Sequence, residues 1–531
     1  MSVSTPVAAD TAHATRIDLV ALAILALGLA FRLHRIDVPF IDGHNWRQVT
    51  NADIARLWTE GPIDFFYPSV SWGGPDGRVG LEFPLLHLAM AVVWRAFGIS
   101  DVAGRLVPVA FSLATVWLTY LLGVRLFDRP TGRAAAFLMA VSPSVVYFGR
   151  TPLSDTPMLM FSVAAVWGYV AYTQSGATRY ALLGAGALAL AGLAKVPAIL
   201  VLGPVLWTGV ATRGMARTLR DPWFTAAPIA AMGAVFLWYL HADQVYLETG
   251  LTQAIFRPSG TYPGDIAQWA GPFLSVSHWT NAGILTMETA REMAWRFWRL
   301  HLTPLGAAGV IAGCVTARDW RRRSIVDVWA LAALALIAVS LQGQFWHEFH
   351  QLPILPPLAL YFGVGASPLF SAALYARLPA PWRLVAATAI AIALAAGSAF
   401  FFFENSRVIT TLYRPDALNV ALVDAGAAID DVTPKDALLV TVEYDRYGNN
   451  SPLVLYFAHR KGWSFDATSI TSGVIAYLHE KRGACYVAVS DWATLQARRP
   501  DVADPLRQAT AVELPYANGR YRLFGLCGSG R

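Results

Sequence analysis

IDLVALAILALGLAFRLHR, residues 17–35, leads within a few residues to Asp42-Gly43-His44-Asn45-Trp46-Arg47-Gln48. The first stretch is apolar over nearly the roughly 20 residues that a helix needs to cross about 30 Å of hydrocarbon. A helix there delivers the second stretch to the far side of a bilayer. That stretch is a carboxylate followed by hydrogen-bond donors and an indole, so Asp42 is a candidate catalytic base.

The rest of the chain has the same texture. Its 531 residues are 55% hydrophobic and only 14% charged, with a mean hydropathy of +0.44. That balance excludes a single soluble domain. Nineteen Trp fit a protein whose aromatic side chains sit at headgroup level. The net charge of +6 is mostly arginine in short loops, which is a topology signal rather than a nucleic-acid footprint. Three cysteines make no metal or redox motif. Cys314 lies in an apolar segment, and Cys485 and Cys527 can pair if the polar C-terminal part is outside the cytoplasm. No basic run precedes the first apolar stretch and no small-residue cleavage site follows it, so a cleaved signal peptide is not expected.

Hydropathy places about eleven spans, near 17–35, 107–125, 134–150, 157–173, 180–194, 196–211, 222–240, 303–317, 325–341, 353–368 and 383–403. Arginines fix the direction, since short cytoplasmic loops collect them. With the N-terminus inside, Arg125, Arg129 and Arg133 are cytoplasmic, as are Arg213, Arg217 and Arg220, the group Arg318, Arg321, Arg322 and Arg323, and the pair Arg377 and Arg383. Segment 84–98 holds His87, Trp94 and Arg95 in only about 15 residues and would invert every basic loop if it spanned. It reads as an interfacial helix on the outer face. The expected fold is an α-helical polytopic membrane domain, 1–403, with outer loops 36–106 and 241–302. A small extracytoplasmic α/β domain, 404–531, follows. Its strands are expected at 437–443 and 484–490 and a helix at 474–480.

Charges outside the basic loops gather on the outer face. They are Asp42, His44, Arg47 and Glu82 in the first loop, Arg150 and Asp155 between the third and fourth spans, and Lys195 at a tight turn. Arg257 in the second loop and His347, Glu348 and His350 between spans nine and ten complete the set. Each has a bland reading too. Asp42, Glu82 and Asp155 sit where a helix-capping acid would, and Lys195 can snorkel to headgroups. A base with an acidic partner, plus a lysine and an arginine to hold a phosphate, is the chemical reading. Arg257 and Arg150 compete for that arginine. His44 and Arg47 suit a polar or anionic group. His347-x-x-His350 is a weak metal pattern and better suited to orienting a substrate.

The order of these tracts resembles a family. Asp42 with His44-x-Trp46-Arg47-Gln48 is followed by Glu82-Phe83-Pro84-Leu85, Gly104-Arg105-Leu106-Val107-Pro108, Ser142-Pro143, Arg150, Asp155, Gly192-Leu193-Ala194-Lys195, and Gln351-Leu352-Pro353-Ile354-Leu355-Pro356-Pro357. The set is similar to the GT-C membrane glycosyltransferases, in the branch related to protein O-mannosyltransferases and lipid A aminoarabinose transferases, over roughly residues 17–365. The resemblance implies an inverting enzyme that takes a sugar from a polyprenyl-phosphate carrier and transfers it to a lipid, glycan or protein on the periplasmic side of a bacterial plasma membrane. It implies Asp42 as base, Asp155 as second-loop acid and Lys195 as phosphate contact. Two departures stand out. Gly43 follows Asp42 where better-known members have a second acid, and Thr50 stands where an acid often follows the Gln, with Asp53 one turn further on. The leaving monophosphate is neutralised by fixed cations, so a divalent cation is optional and no nucleic acid is implied. A transporter or flippase of a lipid-linked sugar is the rival class. It predicts charges near mid-span and paired broken helices.

Overall fold

The computed structural model describes residues 18–253, 286–316, 319–404, 408–415, 417–443, 449–512, 514 and 521–527. Arg257 and most of the second outer loop lie outside the described residues. The first helices are α1 (Leu19–Arg32), α2 (Asn45–Glu60), α3 (Leu85–Phe97), α4 (Asp101–Leu126), α5 (Arg129–Val141), α6 (Pro143–Phe148), α7 (Asp155–Ser175), α8 (Thr178–Ala194), α9 (Leu202–Arg213), α10 (Met215–Arg220) and α11 (Ala226–Thr249). Next come α12 (Met287–Trp295), α13 (Thr303–Val315), α14 (Trp320–Val339), α15 (Leu341–Trp346), α16 (Leu355–Ala366), α17 (Ala372–Ala376), α18 (Ala380–Glu404) and α19 (Ala417–Val432).

Each expected span falls on a helical stretch. Four among the described residues are long and apolar enough to cross a membrane by themselves: Asp101–Leu126, Val196–Arg213, Glu348–Ala376 and Ala380–Glu404. The others are shorter or interrupted, and the interruptions have plain causes. Pro143 has no amide hydrogen to continue the α5 ladder and starts α6 instead. Lys195 is extended, at φ −163° and ψ 131°, between α8 and a 3-10 turn at Val196–Val201. The 84–98 segment is the helix α3, with Leu86, Met90 and Trp94 buried and Val92 and Phe97 exposed, an amphipathic pattern that suits an interface.

Small residues let the helices approach to backbone contact, as membrane bundles require. A Cβ on Gly168 would lie 2.7 Å from Gly184 Cα, joining α7 to α8, and one on Gly123 would lie 2.7 Å from Gly132 Cα, joining α4 to α5. The cut end of α5 is finished by Arg32, which is fully buried. Its Nε donates to Ser112 Oγ at 2.9 Å, and its two terminal nitrogens donate to the carbonyls of Gly28, Ala140, Met139 and Val145. A cation at a helix C-terminus is favoured by the dipole as well.

The C-terminal part forms a five-stranded sheet from β1 (Leu438–Glu443), β2 (Gly462–Asp466), β3 (Ala484–Val489), β4 (Thr510–Val512) and β5 (Arg522–Gly525), in the order β2-β1-β3-β5-β4. The two expected strands are β1 and β3, and the expected helix is Ser472–Arg482. β1 pairs in parallel with β2 and β3, while β5 is antiparallel to β3 and β4. Cys485 and Cys527 form a disulfide. The exposed edge at β2 is covered by the first loop: Gly462 N donates to Ser71 O at 2.8 Å, and Gly73 bridges Trp463. One core holds both parts, with Phe40, Trp58, Trp72 and Trp94 packed among Leu422, Ile429, Leu455 and Leu523. The sheet therefore lies on the same side as the first loop.

Candidate active site

The chain reverses between α1 and α2, and the reversal is pinned by Asp42. Its carboxylate is buried without accessible side-chain surface. Oδ1 accepts from Gln48 Nε2 at 2.7 Å and from Arg105 at 3.2 Å, and Oδ2 accepts from Arg150. Arg105 also donates to the carbonyls of Val38 and Pro39 and to Gln48 Oε1. Arg150 also donates to Arg35 O at 2.9 Å and lies 4.4 Å from the Tyr413 ring centre. Tyr147 donates to Gly43 O. Asp42, expected from the resemblance as the base, thus has both oxygens engaged. Both Asp42 oxygens accept from guanidiniums, one carboxylate against two cations, and these contacts tie the first loop to α4 through Arg105 and to the segment after α6 through Arg150. Arg150, expected to compete for the phosphate, contacts Asp42 and the Arg35 carbonyl, and its Nε is buried with no hydrogen-bond partner among the described residues.

Two residues further on, His44 takes the left-handed conformation, φ 59°, at the start of α2. This is uncommon for a side chain with a Cβ and clusters at functional sites. Its ring points away from the helix end, Nε2 lying 2.9 Å from Glu348 Oε2. Here a second cluster begins, centred on Phe349. The Phe349 ring is 5.0 Å from His44, 5.1 Å from His347, 4.6 Å from His350 and 5.8 Å from Phe148, and Lys195 Nζ lies 4.6 Å above it. Lys195 Nζ also donates to Asp155 Oδ2 at 2.7 Å. Asp155 stands in the first turn of α7 and is 2% exposed, and its Oδ1 is buried with no hydrogen-bond partner among the described residues. A buried carboxylate oxygen without a donor is costly, and it is the group a substrate hydroxyl would satisfy.

The groups around His347 are mixed in charge, with Lys195 paired to Asp155 and Glu348 to Arg296. Desolvation, then the charges of His44, Arg47 and Lys195, hold the His347 imidazole below its usual value, with Glu348 pulling the other way. Arg296 sits 3.5 Å from Glu348 and donates to the Gln344 and Phe345 carbonyls. Arg47 donates to Gln253 Oε1 and O, at 2.8 and 3.1 Å. Nearby donors on Asn45 Nδ2, Trp46 Nε1 and Gln253 Nε2 are buried and unpartnered.

Of the residues singled out in the sequence, the structure brings His44, Asp155, Lys195, His347 and His350 together around Phe349. Arg47 is within electrostatic reach of them. Glu82 has no contact with that cluster among the described residues; it is a charge neighbour of Tyr239, which bonds the Val196 backbone, and the next residue, Phe83, donates its amide to Leu193 O. Asp53, the possible substitute acid, is fully engaged by Arg56 and Ser71. No group of three His, Cys, Asp or Glu converges among the described residues, so those residues offer a divalent cation no ligand set. Sequence reasoning quoted Arg105 and Gln351 within its ordered tracts without giving either a role, and it passed over Phe349, Ser144 and His301. Arg105 had a signal in its charge inside an apolar helix. Phe349 had none.

With the geometry established, three comparisons bear on the fold. Residues 82–239 match the family model described as dolichyl-phosphate-mannose-protein mannosyltransferase. No curated protein matches the chain. Among solved structures, ArnT from Cupriavidus metallidurans bound to undecaprenyl phosphate superposes with a TM-score of 0.61 at 14% identity, over 96% of this chain and 98% of that one. Archaeal oligosaccharyltransferase AglB from Archaeoglobus fulgidus, in complex with an inhibitory peptide and a dolichol-phosphate, gives 0.56 at 12%, over 92% and 72%. Mycobacterial arabinofuranosyltransferase AftD gives 0.52 at 16%, over 95% of this chain and 41% of that one. The chain thus has the GT-C fold that its ordered tracts resemble.

Proposed function

We propose that this protein is an integral membrane glycosyltransferase. It moves a sugar from a polyprenyl-phosphate carrier to an acceptor hydroxyl on the extracytoplasmic face, with inversion. The observation that carries the reading is the pair Lys195 and Asp155, in which one carboxylate oxygen is salt-bridged and the other is buried and unpartnered. A base needs a free oxygen, and of Asp42 and Asp155, Asp155 has one among the described residues and Asp42 does not. Asp155 Oδ1 takes the acceptor proton as the acceptor oxygen bonds to the anomeric carbon and the carbon–phosphate oxygen bond breaks. Lys195 stabilises the departing phosphate.

The disulfide supports the side. Cys485–Cys527 belongs to an oxidising compartment, and the sheet that carries it shares a core with the first loop. A transporter reading gains nothing from the structure, since the candidate charges lie at the loop-bearing ends of helices. The test is transfer from defined polyprenyl-phosphate sugars by purified protein, Asp155→Asn and Asp42→Asn. Loss of transfer in Asp155→Asn with intact carrier binding supports the reading. An inactive wild type with every donor removes it.

A further inference from the structure

His301 is fully buried at the end of a π-helical turn, Arg296–His301, just before α13. Its Nδ1 lies 2.9 Å from Ser144 Oγ on α6, and its Nε2 lies 2.6 Å from Gln351 Oε1 on the Glu348–Ile354 turn. Its own carbonyl accepts from Ser142 Oγ at 2.6 Å. Gln351 Nε2 donates to Gln344 O at 2.9 Å, which leaves Gln351 Oε1 as the acceptor toward the imidazole. The chain of bonds therefore has one direction. His301 carries its proton on Nε2, and bare Nδ1 accepts the Ser144 hydroxyl.

Both ends of this chain carry the outer site. Four residues beyond Ser144, Phe148 packs on His44 at 5.9 Å and on Phe349 at 5.8 Å. Two residues before Gln351, Phe349 lies under Lys195. We propose that His301 is a positioning residue: as a neutral Nε2–H imidazole it ties α6 to the Glu348–Ile354 turn and so sets the spacing of Phe148 and Phe349 around His44 and Lys195. Protonation of Nδ1 would turn an acceptor into a donor and break the Ser144 bond. Burial opposes that protonation, holding the imidazole at about 4, with the Gln351 bond and Glu348 pulling up and Arg296 pulling down. Those two charged groups are the ones that face it.

The consequence for transfer rests on the proposed glycosyltransferase reading, and the experiment separates the two. Full-length protein in nanodiscs is labelled with 15N-histidine, and the His301 signal is assigned by its disappearance in His301→Gln. The expected result is a neutral Nε2–H form from about pH 8 to about pH 5.5. An Nδ1–H form or an imidazolium in that range overturns the proposal whatever the enzyme transfers. In parallel, His301→Leu is expected to lower the melting midpoint, since it leaves the buried Ser144 and Gln351 groups unpaired, and to lower kcat about tenfold or more at a temperature where the variant is still folded. His301→Gln, which retains a donor and an acceptor, should restore most of it, and Gln351→Leu should cost less when added to His301→Leu than it costs alone. Additive losses, a wild-type rate in His301→Leu, or a kcat loss that only follows lost folding overturns it. If the wild type transfers nothing, the glycosyltransferase reading fails while the tautomer result still decides the role of His301.

Discussion

Lys195 Nζ lies 2.7 Å from Asp155 Oδ2 and 4.6 Å from the centre of the Phe349 ring. An ammonium held between a carboxylate and an aromatic face is a strong point charge with a fixed position. Substituting Lys195 with Met removes that charge and leaves the Asp155 carboxylate uncompensated. The expected outcome is donor KM raised about tenfold or more and kcat lowered, measured by steady-state transfer. A donor KM equal to wild type would remove Lys195 from the phosphate site.

Asp155→Asn and Asp42→Asn should fail in different ways. Loss of a general base costs about a hundredfold or more in kcat, so Asp155→Asn should be nearly inactive, and it should lower the midpoint less than Asp42→Asn does, because its partner Lys195 keeps some exposure while Arg105 and Arg150 have none. Asp42→Asn leaves Arg105 and Arg150 buried without their counter-charge, a change that costs about 3–5 kcal/mol when one partner of a buried pair is removed. Its expected signature is a lowered thermal midpoint in detergent. A stable Asp42→Asn that has lost only kcat would return the base role to Asp42.

Arg32 closes the cut end of α5 with donors to four carbonyls and Ser112 Oγ. Arg32→Met keeps much of the volume and removes the donors. With buried acceptors left unpaired at about 1–3 kcal/mol each, stability should fall by at least about 2 kcal/mol, read as a lower thermal midpoint in detergent. An unchanged midpoint would mean that the α5–α6 break needs no such cap.

Stability should depend on pH through two buried histidines. His87 bonds Asn51 Oδ1 through Nε2 at 3.0 Å, and burial holds it down to about 3 against the opposing pull of the Pro84 carbonyl. His301 is held at about 4, again by burial first. A histidine in the unfolded chain titrates near 6.5. Between about 6.5 and those folded values the unfolded state binds protons that the native state does not, so stability rises with pH across that window. The stability present above pH of about 6.5 is lost progressively as pH falls toward about 4. A thermal midpoint that stays flat from pH of about 7 to about 5 would contradict the neutral, buried state of both rings.

Reduction of Cys485–Cys527, which are 42 residues apart, should loosen the link between β3 and the chain beyond β5. Closing a loop of that size is worth about 2–4 kcal/mol. Protein made without reductant should show no alkylatable thiol at either position, and reduction should increase proteolysis of residues 484–527 before the helical part is cut. Free thiols at both positions in membranes from intact cells would argue against an oxidising compartment.

Much of the helical architecture was legible, because the solvent dictates it. Apolar runs near bilayer length must be helices, and Pro143, Pro197 and the extended Lys195 interrupt them where the backbone ladder cannot continue. Lys195 and Asp155 could be named for the same reason, since a charge beside an apolar run demands a partner. That they partner each other was not legible. Residues 44, 155, 195 and 349 lie on four separate segments, and no spacing along the chain encodes their meeting at one ring. β2, β4 and β5 escaped notice because each is five residues or fewer and lacks clear alternation.

The sequence alone determined a helical membrane chain, the ends at which its charges collect and the polar tail that follows, because hydropathy and chain length act locally and need no neighbour. Only the tertiary structure decided which acid is free. Asp42 and Asp155 both follow or begin apolar helices, and as local patterns they are equivalent. Arg105 and Arg150, 63 and 108 residues away, occupy both oxygens of Asp42, whereas Lys195 takes one oxygen of Asp155 and leaves the other. A carboxylate's availability depends on donors brought to it by packing, and packing is a property of the whole fold.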